Sequence, residues 1–285
     1  MKSYFIGLLY LILSKIKYKL LKYTPKPIAN FNDCIEYDIS VVNHWSQHAK
    51  KYFNDFDING KTVVEIGPGQ DLGIALILIA KGAKKYYAFD IHNLILNIDK
   101  NFYETIANKI EIKAEFKPSD LVDMVTSYSK TGNGVVNYIC KPQIDYEEID
   151  NNDVDIVFSQ AALEHLTDIQ KQIQLLSRKC KKDSLFIAEV DLRAHSRWVR
   201  DHDPLNIYLY NNFIYNIFRH KASPNRIRPV EYISILQNNG WKDIKIIPLT
   251  TVNDFYLEQI RNKICSQFLD NEISYLTILL VAKKR

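Results

Sequence analysis

The chain is predicted to be an α/β protein with a doubly wound, mostly parallel sheet. Three observations predict this fold: a strand at residues 61–66 runs into a glycine-rich turn and a helix, a strand at 85–89 is closed by Asp90, and a strand at 154–159 leads into another helical segment. Strands that alternate with helices join through right-handed crossovers, which place helices on both faces of one sheet.

The other elements follow from apolar periodicity and from turn residues. The further predicted strands are 135–140, 185–190, 243–248 and 274–282, and the predicted helices are 40–53, 74–81, an inserted pair within 94–128, 168–180, 229–238 and about 252–268. The helix at 40–53 carries His44, Trp45 and His48 on one side, where it either covers a ligand or packs on the edge of the sheet.

The first 23 residues are predicted to form an amphipathic helix. Leu9, Leu13, Ile16 and Leu20 recur at helical spacing, with lysines on another side. The apolar run is too short to span a bilayer, so residues 4–23 either lie on a membrane surface or dock on the protein body or a partner. The breaker at 24–27 then separates residues 1–27 from a catalytic domain at 28–285.

Composition and charge narrow the class of protein. The chain has 285 residues, of which 47% are hydrophobic and 25% charged, as expected for one globular domain with embellishments. Its net charge is +4, but six lysines precede the first acidic residue, so the rest of the chain carries −2. A body without excess positive charge is a poor nucleic-acid binder. The four cysteines are scattered, which indicates neither a disulfide framework nor a zinc site and fits the cytoplasm.

The glycine-rich turn is the strongest local signal. Its spacing is Gly67-x-Gly69-x-x-x-Gly73, directly before the helix at 74–81, and Glu65 stands two residues ahead of it. Glycines allow sharp bends and let a ligand approach bare backbone amides. A dinucleotide fingerprint is one residue shorter, and its pyrophosphate gains nothing from a preceding carboxylate. The turn therefore predicts a nucleoside cofactor that has no diphosphate.

Asp90 supplies a second contact for such a cofactor. It lies about 20 residues after the glycines, where a carboxylate can accept both ribose hydroxyls. Together with the segment from Asp155 to His165, these blocks resemble the class I S-adenosylmethionine-dependent methyltransferases. The resemblance runs from about residue 61 to the C-terminus and implies a Rossmann-like, seven-stranded sheet whose last strand is reversed.

The resemblance also implies the cofactor pocket. S-adenosylmethionine is the expected cofactor, and its expected contacts are Glu65, Gly67, Pro68, Gly69, Gly73, Asp90, Ile91, Gln143, Gln160 and Ala161. Where such enzymes often have an acidic residue after the third strand, this chain has Lys141-Pro142-Gln143. Gln143 or a backbone group is therefore the candidate for the adenine contact.

Three residues at strand ends are candidate catalysts. If the acceptor is a hydroxyl, a nearby histidine can serve as general base. His165 follows the fourth strand and His195 the fifth, while Asp191 could orient a ring or bind the acceptor. The alternatives are that His165 braces a helix and that His195 is an exposed loop residue. No carboxylate cluster of the kind that metal catalysis requires follows the fourth strand, so no metal is expected.

The segment 191–228 is expected to cover the acceptor. The stretch around His195 resembles one in methyltransferases of bacterial surface-polysaccharide clusters, which implies a hydroxyl of a glycan or glycolipid precursor as the acceptor. The many aromatic residues either stack on sugar rings or form the apolar face of a lid helix through Leu209, Phe213 and Ile217.

Two other functions remain open from the sequence. One is methylation of a small natural product or quinone-like lipid, and the other is a cofactor-binding partner subunit without turnover. The oligomeric state is left open. The enzyme is expected in the cytoplasm, free or on the inner face of the membrane.

Overall fold

The computed structural model describes residues 2–21, 30–54, 56–95 and 99–285. Its strands are β1 (Thr62–Ile66), β2 (Lys85–Asp90), β3 (Val136–Cys140), β4 (Val154–Gln160), β5 (Cys180–Asp191), β6 (Trp241–Thr251) and β7 (Tyr275–Lys284). Its helices are α1 (Lys2–Leu20), α2 (Phe31–Tyr52), α3 (Gly73–Ala80), α4 (Lys100–Lys109), α5 (Pro118–Thr126), α6 (Ile169–Lys179), α7 (Arg197–His202), α8 (Asn212–Phe218), α9 (Pro229–Asn238) and α10 (Asp254–Arg261). The predicted breaker at 24–27 lies outside the described residues.

The strands form one seven-stranded sheet in the order β3-β2-β1-β4-β5-β7-β6. Strands β1 to β5 are parallel, and β7 is antiparallel to both of its neighbours. This confirms the predicted fold, including the reversed last strand. The chain leaves β1 toward β2 on one side and reaches β4 on the other, so the crevice at the carboxyl ends of β1 and β4 is where such sheets bind ligands.

Apolar clusters on both faces of the sheet hold these strand ends in place. On one face α2 to α5 pack around α3, whose eight residues are all buried. On the other face α6 and α9 cover β4, β5 and β7, and Trp241 lies at the centre with its Nε1 donating to Ser177 Oγ at 2.8 Å. The near-continuous apolar runs of the central strands are the pattern expected of strands covered on both sides.

Three sequence predictions differ from the structure. Helix α2 begins at Phe31 instead of residue 40, because the Asn30 side chain accepts hydrogen bonds from the amides of Asn32 and Asp33 and caps it. Helix α10 ends at Arg261, and only a short 3-10 turn at Ser266–Phe268 follows it. The lid helix considered through Leu209, Phe213 and Ile217 is not continuous, because Leu209 ends a 3-10 turn at Asn206–Leu209 and the helix α8 begins only at Asn212.

A third apolar cluster joins α1 to the segment after β5. Tyr4, Leu8 and Leu11 of α1 pack against a buried group that includes Leu205 and Tyr208. The predicted N-terminal helix is therefore present and docks on the body through one face. None of the described helices is both long and apolar enough to cross a membrane.

Candidate active site

The glycine turn lies at the carboxyl end of β1. Gly67 has φ +73° and Gly69 has φ +82°, backbone values that L side chains rarely adopt. A Cβ on Gly67 would meet the Cβ of Ala162 at 2.4 Å, so this glycine allows the turn to pack against the end of β4. A Cβ on Gly69 would meet nothing within 4 Å. The space above Gly69 is open to a ligand.

A cavity of about 460 Å³ opens above this turn, between the ends of β1, β2 and β4. Its walls include the following predicted contacts: Gly67, Gly69, Asp90, Ile91, Gln160 and Ala161. The Asp90 carboxylate accepts from the His92 amide at 2.9 Å, and its partial burial raises its pKa. We call this space the central cavity.

Of the two candidates for the adenine contact, the structure does not bring the Gln143 side chain to the central cavity, which leaves a backbone group. Gln143 is exposed and does not line the cavity, whereas the next residue, Ile144, is buried and does. The wall on this side is therefore apolar.

A smaller cavity of about 230 Å³ adjoins the same turn on the side of α2 and is lined by acidic residues. Asp38, Glu65 and Asp71 all contribute to it, together with Pro68. Burial is the first cause that raises the pKa of each acid, to about 8 for Glu65. The neighbouring Asp71 raises the pKa of Asp38 further, whereas the hydrogen bond with Asp38 lowers that of Asp71. We call this space the acidic cavity.

Glu65, one of the three acids that line the acidic cavity, is fully buried. Its Oε2 accepts a hydrogen bond from the Tyr86 hydroxyl, while its Oε1 has no partner among the described residues. An unpaired buried carboxylate oxygen is costly unless a ligand or proton satisfies it. The acidic cavity therefore favours a cationic group.

Gly73 has a packing role. Its amide donates to Asp71 Oδ1 at 2.8 Å, and a Cβ here would lie 2.0 Å from Asp38 Oδ2. The start of α3 thus already binds a carboxylate of the chain itself. No local sequence signal marks Asp38, because it lies on α2 and reaches the glycine turn only through tertiary packing.

Trp45 packs on the sheet, one of the two predicted alternatives. Its indole stacks on Phe158 with ring centroids 4.2 Å apart, and its Nε1 donates to Gln160 Oε1 at 3.0 Å. It thereby fixes the Gln160 side chain at the border between the two cavities.

His165 and His195 come together although they are 30 positions apart in the chain. Their ring centroids lie 4.7 Å apart, and both rings line the central cavity. Nδ1 of His165 is 3.1 Å from the Ala222 carbonyl oxygen, which sets this nitrogen as the donor and leaves Nε2 as an acceptor. Burial lowers the pKa of His165 and, with the neighbouring His165 ring, lowers that of His195 to about 4. Both imidazoles are neutral near pH 7.

Asp191 is engaged by an arginine. Its two carboxylate oxygens accept from Nε and Nη2 of Arg193, both at 2.8 Å. Burial would raise the pKa of Asp191, but the Arg193 hydrogen bonds hold it below its usual value. The geometry places Asp191 as a partner of Arg193 and as a nearby negative charge to His195.

Glu164 was not anticipated as a site residue. It is buried, its Oε2 has no partner among the described residues, and burial raises its pKa to about 8. Glu164, His165 and His195 each place one possible ligand atom within 4.8 Å of the others, so this group has the donor set of a small metal site.

A further cavity, of about 410 Å³, lies on the other side of His195. Its walls come from α1, α7 and the turn at 206–209, and include Tyr10, Leu11 and Tyr210. We call it the outer cavity. Because His195 lines both spaces, it stands between the outer and the central cavity. A larger cavity of about 600 Å³ lies at the opposite end of the sheet, around Lys61 and Asp155, away from these groups.

Comparisons with known proteins found similarity to solved structures only. No protein-family profile matches the chain, and no curated protein sequence matches it. Among solved structures, it resembles a SAM-dependent methyltransferase from Archaeoglobus fulgidus, at 17% identity and TM-score 0.44, covering 84% of this chain and 92% of that one. It also resembles an S-adenosylmethionine-dependent methyltransferase from Mesorhizobium loti, at 11% identity and TM-score 0.44, covering 84% and 96%.

A third similar structure is Haemonchus contortus phosphoethanolamine N-methyltransferase 2 in complex with S-adenosyl-L-methionine, at 14% identity and TM-score 0.49. The match covers 92% of this chain and 61% of that one. Likeness at such identities concerns the fold alone. The strand order of this chain, with β7 reversed, is that of the Rossmann-like class I methyltransferase fold.

Proposed function

We propose that the chain is an S-adenosylmethionine-dependent methyltransferase. The observation that carries the proposal is the pair of cavities around Gly69, one reached by Asp90 and the other lined by buried acids. The cofactor has a ribose diol in its nucleoside part and carries an ammonium and a sulfonium in its methionine part. Asp90 can accept the ribose hydroxyls, and the unpaired Oε1 of Glu65 lies in the cavity suited to the cationic part.

The same charges disfavour a dinucleotide. A pyrophosphate needs free amides at the start of the helix, but the Gly73 amide is bound to Asp71 and three acids surround the turn. A diphosphate would add negative charge beside acids whose ionisation burial already opposes, whereas a cation would stabilise their ionised form.

The residues of the chain position the acceptor and remove its proton. The bound cofactor supplies a methyl group activated on sulfur, so the protein mainly orients the reactants and excludes water. His195 stands between the outer and the central cavity, where a neutral ring nitrogen can accept the proton of an acceptor hydroxyl. His165 lies against it, with its own Nδ1 bound to Ala222.

The favoured acceptor is a hydroxyl of a glycan or glycolipid precursor, bound under the lid at 191–228 on the cytoplasmic side of the membrane. Support comes from the sequence resemblance around His195 and from exposed Arg197, which can pair with a phosphate or uronate. The second candidate, a quinone-like lipid or small natural product, is favoured by the apolar side chains of α1 in the outer cavity. A non-catalytic subunit would bind the cofactor without transferring its methyl group.

Calorimetric titration with S-adenosylhomocysteine tests the proposal. We expect the wild type to bind and Asp90→Ala to lose at least about tenfold in affinity, because the ribose hydroxyls lose their acceptor. Asp150→Ala, which removes an exposed carboxylate away from both cavities, is the matched control and should bind as the wild type does. Binding of NAD in place of S-adenosylhomocysteine, or equal affinity in Asp90→Ala, would contradict the assignment.

A further inference from the structure

Helix α1 is held against the body by specific contacts. The side-chain amide of Asn206 donates to the Ser3 carbonyl at 3.0 Å, and the Tyr210 hydroxyl donates to the Tyr4 carbonyl at 2.9 Å. A Cβ on Gly7 would lie 1.8 Å from Asn206 Oδ1, so only glycine allows this close approach. The orientation of α1 is therefore fixed, and so is the face that it turns outward.

The outward face of α1 is an apolar stripe. Its members are Phe5, Leu9, Leu13, Ile16 and Leu20, which are between 47% and 77% exposed. Their spacing of three or four residues places them in one row along the helix, about 22 Å long. Single apolar residues are common on protein surfaces, but a continuous row of this length on a docked helix needs an explanation.

Helix α8 extends the apolar surface. The predicted lid face through Phe213 and Ile217 is not buried: Phe213 is 74% exposed and Ile217 is 42% exposed. Lys15 of α1 donates through Nζ to the Ile217 carbonyl, which holds α8 beside α1. We call the stripe on α1 together with these two residues the apolar face.

The charged residues of α1 are all lysines. Helix α1 contains no acidic residue, and its second half carries Lys15, Lys17 and Lys19. Lys17 and Lys19 are exposed and, by helical spacing, lie on opposite sides of the stripe. An apolar stripe flanked by lysines of its own helix fits the interface of an anionic membrane, where acyl chains contact the apolar side chains and headgroups contact the lysines.

The outer cavity connects this face to the candidate catalyst. Leu13 and Lys17 of α1 line the same cavity as His195. Tyr10 and Leu11 of the same helix also contribute to its wall. A molecule with a polar head and an apolar chain could place its head at His195 while its chain leaves along α1.

We propose that the apolar face docks on an anionic lipid membrane and that the outer cavity takes the head of an amphipathic lipid acceptor from that membrane. The docking part stands on α1 and α8 alone. The acceptor part rests on the proposed methyltransferase function and narrows its substrate class to membrane lipids that carry a hydroxyl.

Vesicle co-sedimentation tests the docking. We expect the full-length protein to sediment with vesicles of equal parts phosphatidylcholine and phosphatidylglycerol, more weakly at high salt, and not with phosphatidylcholine alone. The double variant Leu9→Glu, Ile16→Glu should bind at least about tenfold more weakly, because two charges enter the stripe. The control Val135→Glu, Val230→Glu makes the same change at exposed positions outside α1 and α8 and should bind normally.

Three further measurements distinguish a failure of the docking proposal from a failure of the proposed function. The docking proposal would be overturned if the stripe variant and the wild type sediment equally with vesicles. It would also be overturned if light scattering shows that the wild type is a dimer and that the stripe variant is a monomer. S-adenosylhomocysteine should bind equally to all these proteins. If the wild type does not bind it, the result counts against the proposed function instead. The protein is also incubated with S-adenosylmethionine carrying a tritiated methyl group and with membranes of the source organism, and the mixture is extracted with organic solvent. We expect the label in the organic phase, whereas label confined to the aqueous phase would overturn the proposal of a lipid acceptor.

Discussion

At the scale of single residues, burial decides which side chains can act as acids and bases. Burial holds His195 neutral near pH 7 and keeps Glu65 protonated up to about pH 8. A neutral imidazole can accept a proton from an acceptor hydroxyl, and a buried acid without a cationic partner keeps its own proton. His195 is therefore suited to the proposed acceptor side of the site, and Glu65 to the side proposed for the cationic part of the cofactor.

The substitution His195→Gln tests the proposed base. We expect kcat to fall about 100-fold or more, because the glutamine side chain cannot accept the proton, while the affinity for S-adenosylhomocysteine stays unchanged. His202→Gln, at an exposed position, is the control. In the wild type the acidic fall of the rate due to this residue should lie near pH 4, where His195 becomes protonated. Unchanged turnover in His195→Gln would remove the residue from the mechanism.

At the scale of elements, the glycine turn shows that one motif contains glycines with different tasks. Gly67 provides room for Ala162, Gly73 provides room for Asp38, and only Gly69 faces open space. The spacing in the sequence predicts the turn, but it does not distinguish these tasks, because the neighbouring atoms come from distant parts of the chain.

Gly69→Ala separates backbone strain from ligand contact. Gly60 has a similar φ of +71° and also has nothing within 4 Å of its missing Cβ, but it lies away from the cavities. Both alanine variants should lose about 1 kcal/mol of unfolding free energy, because alanine is strained at positive φ. Only Gly69→Ala should also lose affinity for S-adenosylhomocysteine, since its methyl group enters the ligand space. Calorimetry and thermal unfolding provide the comparison, and equal affinities would place the ligand elsewhere.

At the scale of the whole molecule, the buried acids make stability depend on pH. Glu65 and Glu164 have folded-state pKa values of about 8, above the 4.5 of the unfolded chain, so the native state binds more protons between these values. Their contribution to stability is fully present at low pH and is lost as the pH rises through 8. His195, with its pKa lowered from 6.5 to about 4, acts in the opposite direction below pH 6.5.

The free energy of unfolding of the cofactor-free protein should therefore fall between about pH 6.5 and 8.5. In Glu164→Gln the fall should be shallower, because glutamine has no proton to lose. Urea denaturation across this range measures the slope. A stability that rises over the same interval would show that these carboxyl groups are ionised in the native state.

The sequence by itself determined the sheet and the place of the proposed site. Apolar runs that alternate with helices predicted the parallel strands, and the glycine turn with Asp90 marked the edge where ligands bind, since both signals are local in the chain. The Gln143 side chain lies outside the central cavity because it belongs to the loop after β3, where side-chain direction does not follow the alternation of a strand.

Only the tertiary structure decided the rest. It brought Asp38 from α2 against Asp71, His165 against His195 and α1 against the outer cavity. It also left the stripe on α1 exposed although its periodicity is that of a buried face. Contacts between distant segments depend on how whole elements pack, and an amphipathic pattern shows which face is apolar without showing what covers it.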